Sequence, residues 1–216
     1  FSVYGFHSVY IKNSGSVYGL GDNQKGQISN LLSKKFYKKA VKIPIKNVIS
    51  AVCCTEFTIY MVNSESDKKT PQLLFFNSQK SQSPITLNIG SKTPVSLFGG
   101  NKTAAAIDSK GGIIVITENM LEKEIFTPLI SDLPDNEKAD YIACGNKMIL
   151  VLTKSGKLFK SNISYSNTLS RFNEIPELKN TKIINIAGTS DHFIAVTEKG
   201  FAFVQGSNQF CKIGLR

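Results

Sequence analysis

The sequence predicts an all-β protein, a β-propeller with blades of about 45–50 residues, each of four antiparallel strands. Two observations carry this: a motif that returns at nearly fixed spacing, and a strand–turn–strand grammar inside every copy. The copies are 7–15, 57–65, 103–111, 148–156 and 192–200, each an apolar run followed by a polar turn. Four of the five end in glycine: Gly15, Gly111, Gly156 and Gly200, with Glu65 in the remaining place. The turns lie 50, 46, 45 and 44 residues apart. An all-β unit stacked at such a period closes up as a propeller, and about four and a half units fit in this chain.

Each unit begins with a lead strand, at 48–52, 94–98, 140–143 and 182–186. A small-residue turn follows, containing Cys53, Gly99, Cys144 or Gly188. The repeated apolar strand comes next, then the tight turn, then a strand such as 16–18, 113–115, 157–159 or 201–203. Short runs rich in β-branched and aromatic residues between Gly, Asn and Ser turns read as strands. No stretch of 11 residues holds a helical period. Connectors are expected at 29–46, 77–92, 117–139 and 160–181, with an insertion at the hairpin tip 63–72 that accounts for the longest spacing. Glu118, Glu122 and Glu124 read as a solvated run in one connector.

The whole of 1–216 reads as one domain with no internal boundary. Phe1 falls inside a unit and 201–216 opens another, so the expectation is a piece of a longer propeller. The alternative is a ring of five blades closed by pairing 201–205 with 1–11.

No run approaches the roughly 18 apolar residues of a membrane span. Four cysteines (Cys53, Cys54, Cys144, Cys211) form no C-x-x-C pair and only two histidines are present, which argues against structural zinc. Buried, reduced thiols are expected, and with them an intracellular location, nuclear or cytoplasmic. Catalysis has no support: no phosphate-cradling loop, no nucleophile–base set and no cofactor motif is found. His7 and His192 share a repeat column with Phe57, Thr103 and Met148, which reads as a packing position.

The net charge of +10, from 26 basic and 16 acidic residues, calls for an acidic partner: nucleic acid, acidic protein tails or a membrane surface. The densest basic stretch is 34–46, with Lys34, Lys35, Lys38, Lys39, Lys42 and Lys46 around Phe36 and Tyr37. It reads either as a basic edge that binds phosphates or acidic tails, with aromatics to stack, or as a solvated connector whose lysines protect a strand edge. Lys154, Lys157 and Lys160 form a weaker second set.

Two segments carry a signature. Residues 21–28 (Gly-Asp-Asn-Gln-Lys-Gly-Gln-Ile) and 206–213 (Gly-Ser-Asn-Gln-Phe-Cys-Lys-Ile) resemble the G-x-N-x-x-G-Q-L motif of the regulator of chromosome condensation (RCC1) repeat family. The family's other half, small-G-x-x-H ahead of an apolar strand and a turn ending in glycine, is matched at 143–148 and loosely by Ala187, Gly188 and His192, with Phe57, Thr103 and Met148 in place of the family histidine in the middle units. The middle units lack the Asn/Gly-Gln half. The signature residues Gly21, Asn23, Gly26, Gln27, Gly206 and Asn208 read as structural: glycines for tight turns, Asn23 and Gln27 for bonding to backbone groups. The resemblance implies a propeller, typically of seven blades, that binds partners. The leading expectation is a non-catalytic interaction or scaffold module whose rim loops hold a protein, an acidic one such as tubulin in a cytoskeletal or ciliary assembly. The resemblance also implies one alternative, nucleotide exchange on a Ran-like small GTPase, and the basic charge offers another, association with chromatin or nucleic acid through a basic face.

Overall fold

The computed structural model describes residues 1–29, 31–64, 70–76, 83–123, 125 and 127–214. They form five antiparallel sheets, each a meander in chain order. The first contains β1 (Ser2–Tyr4), β2 (His7–Ile11), β3 (Val17–Asp22) and β4 (Phe36–Ile43). The second contains β5 (Val48–Cys53), β6 (Thr58–Asn63), β7 (Pro71–Phe75) and β8 (Ile85–Thr86). The third contains β9 (Pro94–Gly99), β10 (Thr103–Asp108), β11 (Ile113–Thr117) and β12 (Leu129–Ser131), with helix α1 (Glu118–Glu122) before its last strand. The fourth contains β13 (Ala139–Cys144), β14 (Met148–Thr153), β15 (Leu158–Asn162) and β16 (Asn173–Glu174). The fifth has three strands, β17 (Ile183–Gly188), β18 (His192–Thr197) and β19 (Ala202–Gly206).

Successive side chains of a strand point to opposite faces, and here both faces of an inner sheet meet a neighbour. In β10, Ala104 and Ala106 pack with Ile59, Met61 and Leu73 of the second sheet, while Ala105 and Ile107 pack with Ile142, Ile149 and Val151 of the fourth. That is why β10 reads as an unbroken apolar run. Four core clusters fill the four seams between consecutive sheets, and the first and fifth sheets share none among the described residues. Lead strands β1, β5, β9, β13 and β17 touch one another in turn, so they stand innermost. From β5 onward each ends on a glycine or cysteine, Cys53, Gly99, Cys144 or Gly188, because the preceding sheet crowds it. The Cys53 thiol reaches the Ser2 carbonyl at 3.4 Å and the Cys144 thiol reaches that of Phe98 at 3.7 Å. All four cysteines are free, and burial pushes the Cys144 pKa up to about 12.

The hairpin turns follow one chemistry. Gly15, Gly111, Gly156 and Gly200 all take φ between +78° and +88°. Ahead of three of them, Asp108, Thr153 and Thr197 accept the amide N–H four residues on, at 2.8, 3.1 and 3.1 Å. Glu65 and most of the insertion at 63–72 lie outside the described residues.

The fourth strand expected of each blade lies within the connectors, as an outer strand: β4, β8, β12 or β16. These strands border solvent and so show no clean apolar run. Nor are Glu118 and Glu122 one solvated run. Thr117 caps α1 by accepting the Met120 N–H, and Glu118 is buried against Lys102, 2.7 Å away. Glu122 is exposed, and Glu124 lies outside the described residues.

Candidate functional site

Strand alternation puts the hairpin turns and the connectors into the lead strands at one end of the propeller. At that end every sheet after the first closes with one more cross-strand pair beyond the ladder. The pairs are Asn47 and Asn63, Thr93 and Ser109, Lys138 and Lys154, and Lys182 and Glu198, each joined by an N–H···O=C bond of 2.8–2.9 Å. Because that bond is made by backbone, the fold leaves the side chains free to vary. Two pairs are neutral and one is an ion pair, with Lys182 Nζ 2.5 Å from Glu198 Oε1. The remaining pair sets Lys138 opposite Lys154. Like charges directly opposite one another in a sheet are unfavourable.

A third lysine joins them from the neighbouring sheet. The stem of Lys138 lies on Gly111, where an added Cβ would come within 2.7 Å of its Cδ, and Lys110 precedes that glycine. Lys110, Lys138 and Lys154 line one cleft of about 630 Å³ between the third and fourth sheets, with Val95, Asp108 and Asp140. Asp108 is already engaged. Burial pushes its carboxyl up, but the hydrogen bond from Lys92 and the amides of Gly112 and Lys110 outweigh that and hold it below its usual range. Other lysines are likewise spent: Lys157 on Glu137, Lys102 on Glu118 and Lys212 on Asp191. Among the described residues Lys110, Lys138 and Lys154 make no ion pair. The cleft therefore carries three uncompensated cations against the single unengaged acid, Asp140.

The stretch 34–46 is not one patch. Lys34 and Lys35 enter β4 at the opposite end, Phe36, Lys38, Lys39 and Lys42 are exposed along β4, and Lys46 lies in the connector at the hairpin end. β4 is the outer edge of its sheet. Its register jumps between the pairs Gly19–Val41 and Gly21–Tyr37, so Lys38, Lys39 and Ala40 bulge outward opposite Leu20. A bulge with lysines blocks edge-to-edge pairing. Tyr37 is no free stacking group: it packs against the core between the first two sheets, and its hydroxyl accepts the Lys34 N–H at 2.8 Å. Of the second set, Lys154 lies in the cleft, Lys157 is paired and Lys160 stands in β15.

The signature residues do structural work. Gly21 (φ +102°) and Gly206 (φ +126°) lie where a Cβ would come within 2.2 and 2.3 Å of the carbonyls of Phe6 and Asp191. Asn23 is a buried hub. Its Oδ1 accepts the amides of Ile28 and Ser29, and its Nδ2 donates to the carbonyls of Ser29 and Lys34. Gly26 donates its N–H to the Asn23 carbonyl, Gln27 bonds the Lys25 amide and Asp22, and Asn208 accepts the Ile213 amide. His7 is buried with Nε2 2.8 Å from Thr58 Oγ1, tying the first sheet to the second, and burial lowers its pKa to about 4. His192 departs from the packing expectation: its Nδ1 lies 2.9 Å from Thr189 Oγ1 and 3.0 Å from Asp191 Oδ1 at a half-buried site. No cluster of three or more His, Cys, Asp or Glu side chains placed for a metal occurs among the described residues.

The five meanders packed around their lead strands define a β-propeller. No protein-family model matches the chain, and no curated protein matches its sequence. Solved structures match its fold. Human WBSCR16 is 17% identical, with a TM-score of 0.71, over 94% of this chain and 60% of that one. The CRINKLY WD40 ectodomain of the Arabidopsis thaliana receptor kinase ACR4 is 11% identical, with a TM-score of 0.54, over 94% and 61%. Yeast RCC1 (Prp20) is 14% identical, with a TM-score of 0.50, over 100% and 71%. Within the propellers, the fold is RCC1-like. The chain spans about three fifths of the length of the WBSCR16 and ACR4 chains.

Proposed function

We propose that this chain is a non-catalytic interaction module that holds an acidic protein segment at the seam between its third and fourth sheets. The observation that carries this reading is the cross-strand pair Lys138 and Lys154, joined by Lys110, at a place where the fifth sheet puts Lys182 against Glu198. An anion lying across the three lysines relieves their mutual repulsion, so the cost held in the free protein favours the bound state. Lys34, Lys35, Lys38, Lys39, Lys42 and Lys46 contribute long-range attraction along the outer edge, with Phe36 exposed among them. Propellers of similar fold bind macromolecules: one solved structure is of yeast RCC1 bound to Kap60, and another describes the binding of Prp20p to Gsp1p and histones. The +10 charge of this chain favours acidic partners over basic ones. No helix among the described residues is long and apolar enough to cross a membrane.

The test is binding of a fluorescent poly-glutamate peptide by anisotropy, against a single-stranded oligonucleotide of equal charge. Lys138→Glu with Lys154→Glu is expected to abolish peptide binding, and reversal of Lys34, Lys35, Lys38 and Lys39 to slow association while leaving the complex saturable. A preference for the oligonucleotide, with log affinity falling linearly in log salt, would transfer the reading to nucleic acid. Faster nucleotide release from a small GTPase would transfer it to exchange.

A further inference from the structure

The cleft has a second character that charge alone does not use. Each lead strand from β5 onward carries one β-bulge at the same place. Val48 pairs with Val62 and Ser50 with Met61, leaving Ile49 unpaired. The same shift leaves Val95 unpaired in β9, Asp140 in β13 and Ile184 in β17. A bulge re-aims the extra side chain. The residue before each one, Val48, Pro94, Ala139 or Ile183, is buried, whereas Ile49, Val95 and Ile184 are 45%, 54% and 54% exposed. The lead strands are successive neighbours around the axis, so these side chains form an aliphatic lip at the hairpin end, interrupted by Asp140. Val95 and Asp140 line the same cleft as Lys110, Lys138 and Lys154.

We infer that the segment held at this seam is an acidic peptide with one large apolar anchor residue, the anchor resting on the Val95 lip and its acids on the lysines. This inference rests on the proposed acidic partner and names its chemistry. Charge complementarity picks the occupant. A phosphate chain or polyanion uses only the lysine side and leaves the aliphatic lip wet. A purely apolar segment leaves three lysines uncompensated. Asp140 fixes the orientation, because it repels acidic groups from the axial lip and sends them outward to Lys138 and Lys154. Ile49, on the adjacent lead strand β5, extends the lip on one side, and Ile184 on β17 lies beyond Asp140 on the other.

Two labelled peptides test this, a nine-residue glutamate peptide with a central leucine and the same peptide with serine in its place. Anisotropy at low salt is expected to show the leucine peptide binding about fivefold to tenfold tighter, as partial burial of one aliphatic side chain gives. Val95→Ser is expected to erase that preference while leaving the serine peptide's affinity unchanged, and Lys138→Glu with Lys154→Glu to abolish binding of both. Ile49→Ser is a second, independent variant at an exposed position and is expected to reduce the preference. Equal affinity for both peptides, or a preference that persists in Val95→Ser, overturns the anchor while the acidic reading stands so long as the lysine variant fails to bind. If neither peptide binds the native chain, or both bind the lysine variant normally, the acidic reading falls and the anchor with it.

Discussion

Lys154→Glu is expected to stabilise the protein and to destroy its proposed binding. The substitution converts the pair Lys138 and Lys154 into the arrangement of Lys182 and Glu198, on the same backbone bond one sheet later. Cross-strand partners bring their Cβ atoms to about 5 Å, and two unit charges taken as about 6 Å apart at a water-exposed site interact by about 0.7 kcal/mol. Exchanging repulsion for attraction therefore gives a swing of about 1.4 kcal/mol before screening. Salt at 10 mM, with a Debye length of about 30 Å, leaves roughly 1 kcal/mol of this, and 1 M salt, with a Debye length of about 3 Å, leaves little. For a chain of this size that corresponds to a rise in Tm of about 2–4 °C at low salt.

The assay is thermal unfolding by far-ultraviolet circular dichroism at 10 mM and 1 M sodium chloride. Lys39→Glu, in the β4 bulge on another sheet, serves as the control for the general drop in net charge. The same samples are titrated with the glutamate peptide. A variant that melts below the native chain at low salt would refute the reasoning. So would a gain that is unchanged at 1 M, or one matched by Lys39→Glu, because the stabilisation would not come from the Lys138 pair.

Asn23→Ala strips partners from the amides of Ile28 and Ser29 and the carbonyls of Ser29 and Lys34 at a buried site, and is expected to cost about 2–4 kcal/mol in urea unfolding; Asn23→Asp is expected to cost at least as much, because a carboxylate oxygen in place of Nδ2 faces the Ser29 and Lys34 carbonyls with no proton to donate. The His7 pKa is lowered to about 4 in the folded chain, below its ordinary value near 6.5, so the unfolded chain binds the extra proton first; stability is full above about pH 6.5 and falls as pH drops toward 4, by a few kcal/mol at most. His7→Gln is expected to flatten that slope in urea titrations between pH 4 and 7. Of the four thiols, exposed Cys211 alone is expected to react promptly with a disulfide reagent, while Cys53, Cys54 and Cys144 wait for unfolding; a second prompt thiol would contradict their burial.

The inner three strands of each sheet were legible because each is bounded by turns whose chemistry is local. Gly111 and Gly156 take positive φ, and Asp108 and Thr153 cap the amides that follow, so the pattern Asp/Thr-x-x-Gly is written in sequence. The outer strands were not legible. β8 and β16 are two residues long and border solvent, so neither burial nor alternation marks them. Lysine is densest at 34–46, yet these six lysines close in sequence are carried from one end of the propeller to the other by eight residues of extended strand. Density in sequence measures local charge; a site needs charges that converge in space.

Convergence here comes from pairing that the repeat itself encodes. Aligning the units places Asn47, Thr93, Lys138 and Lys182 in one column and Asn63, Ser109, Lys154 and Glu198 in another, and antiparallel order sets the columns face to face. The backbone bond between them forms whatever the side chains are, so packing and turn geometry do not dictate the charge at these positions. The neutral pair in the second sheet and the ion pair in the fifth show that the same backbone accommodates other side chains at no cost in repulsion. Only the fourth sheet sets two like charges together, at the mouth of a cleft to which the third sheet adds Lys110. In a repeat protein each copy is an internal control for the others. A departure from the shared pattern that sets like charges together, in a column the fold leaves free, is better ground for proposing a site than residue type or charge density.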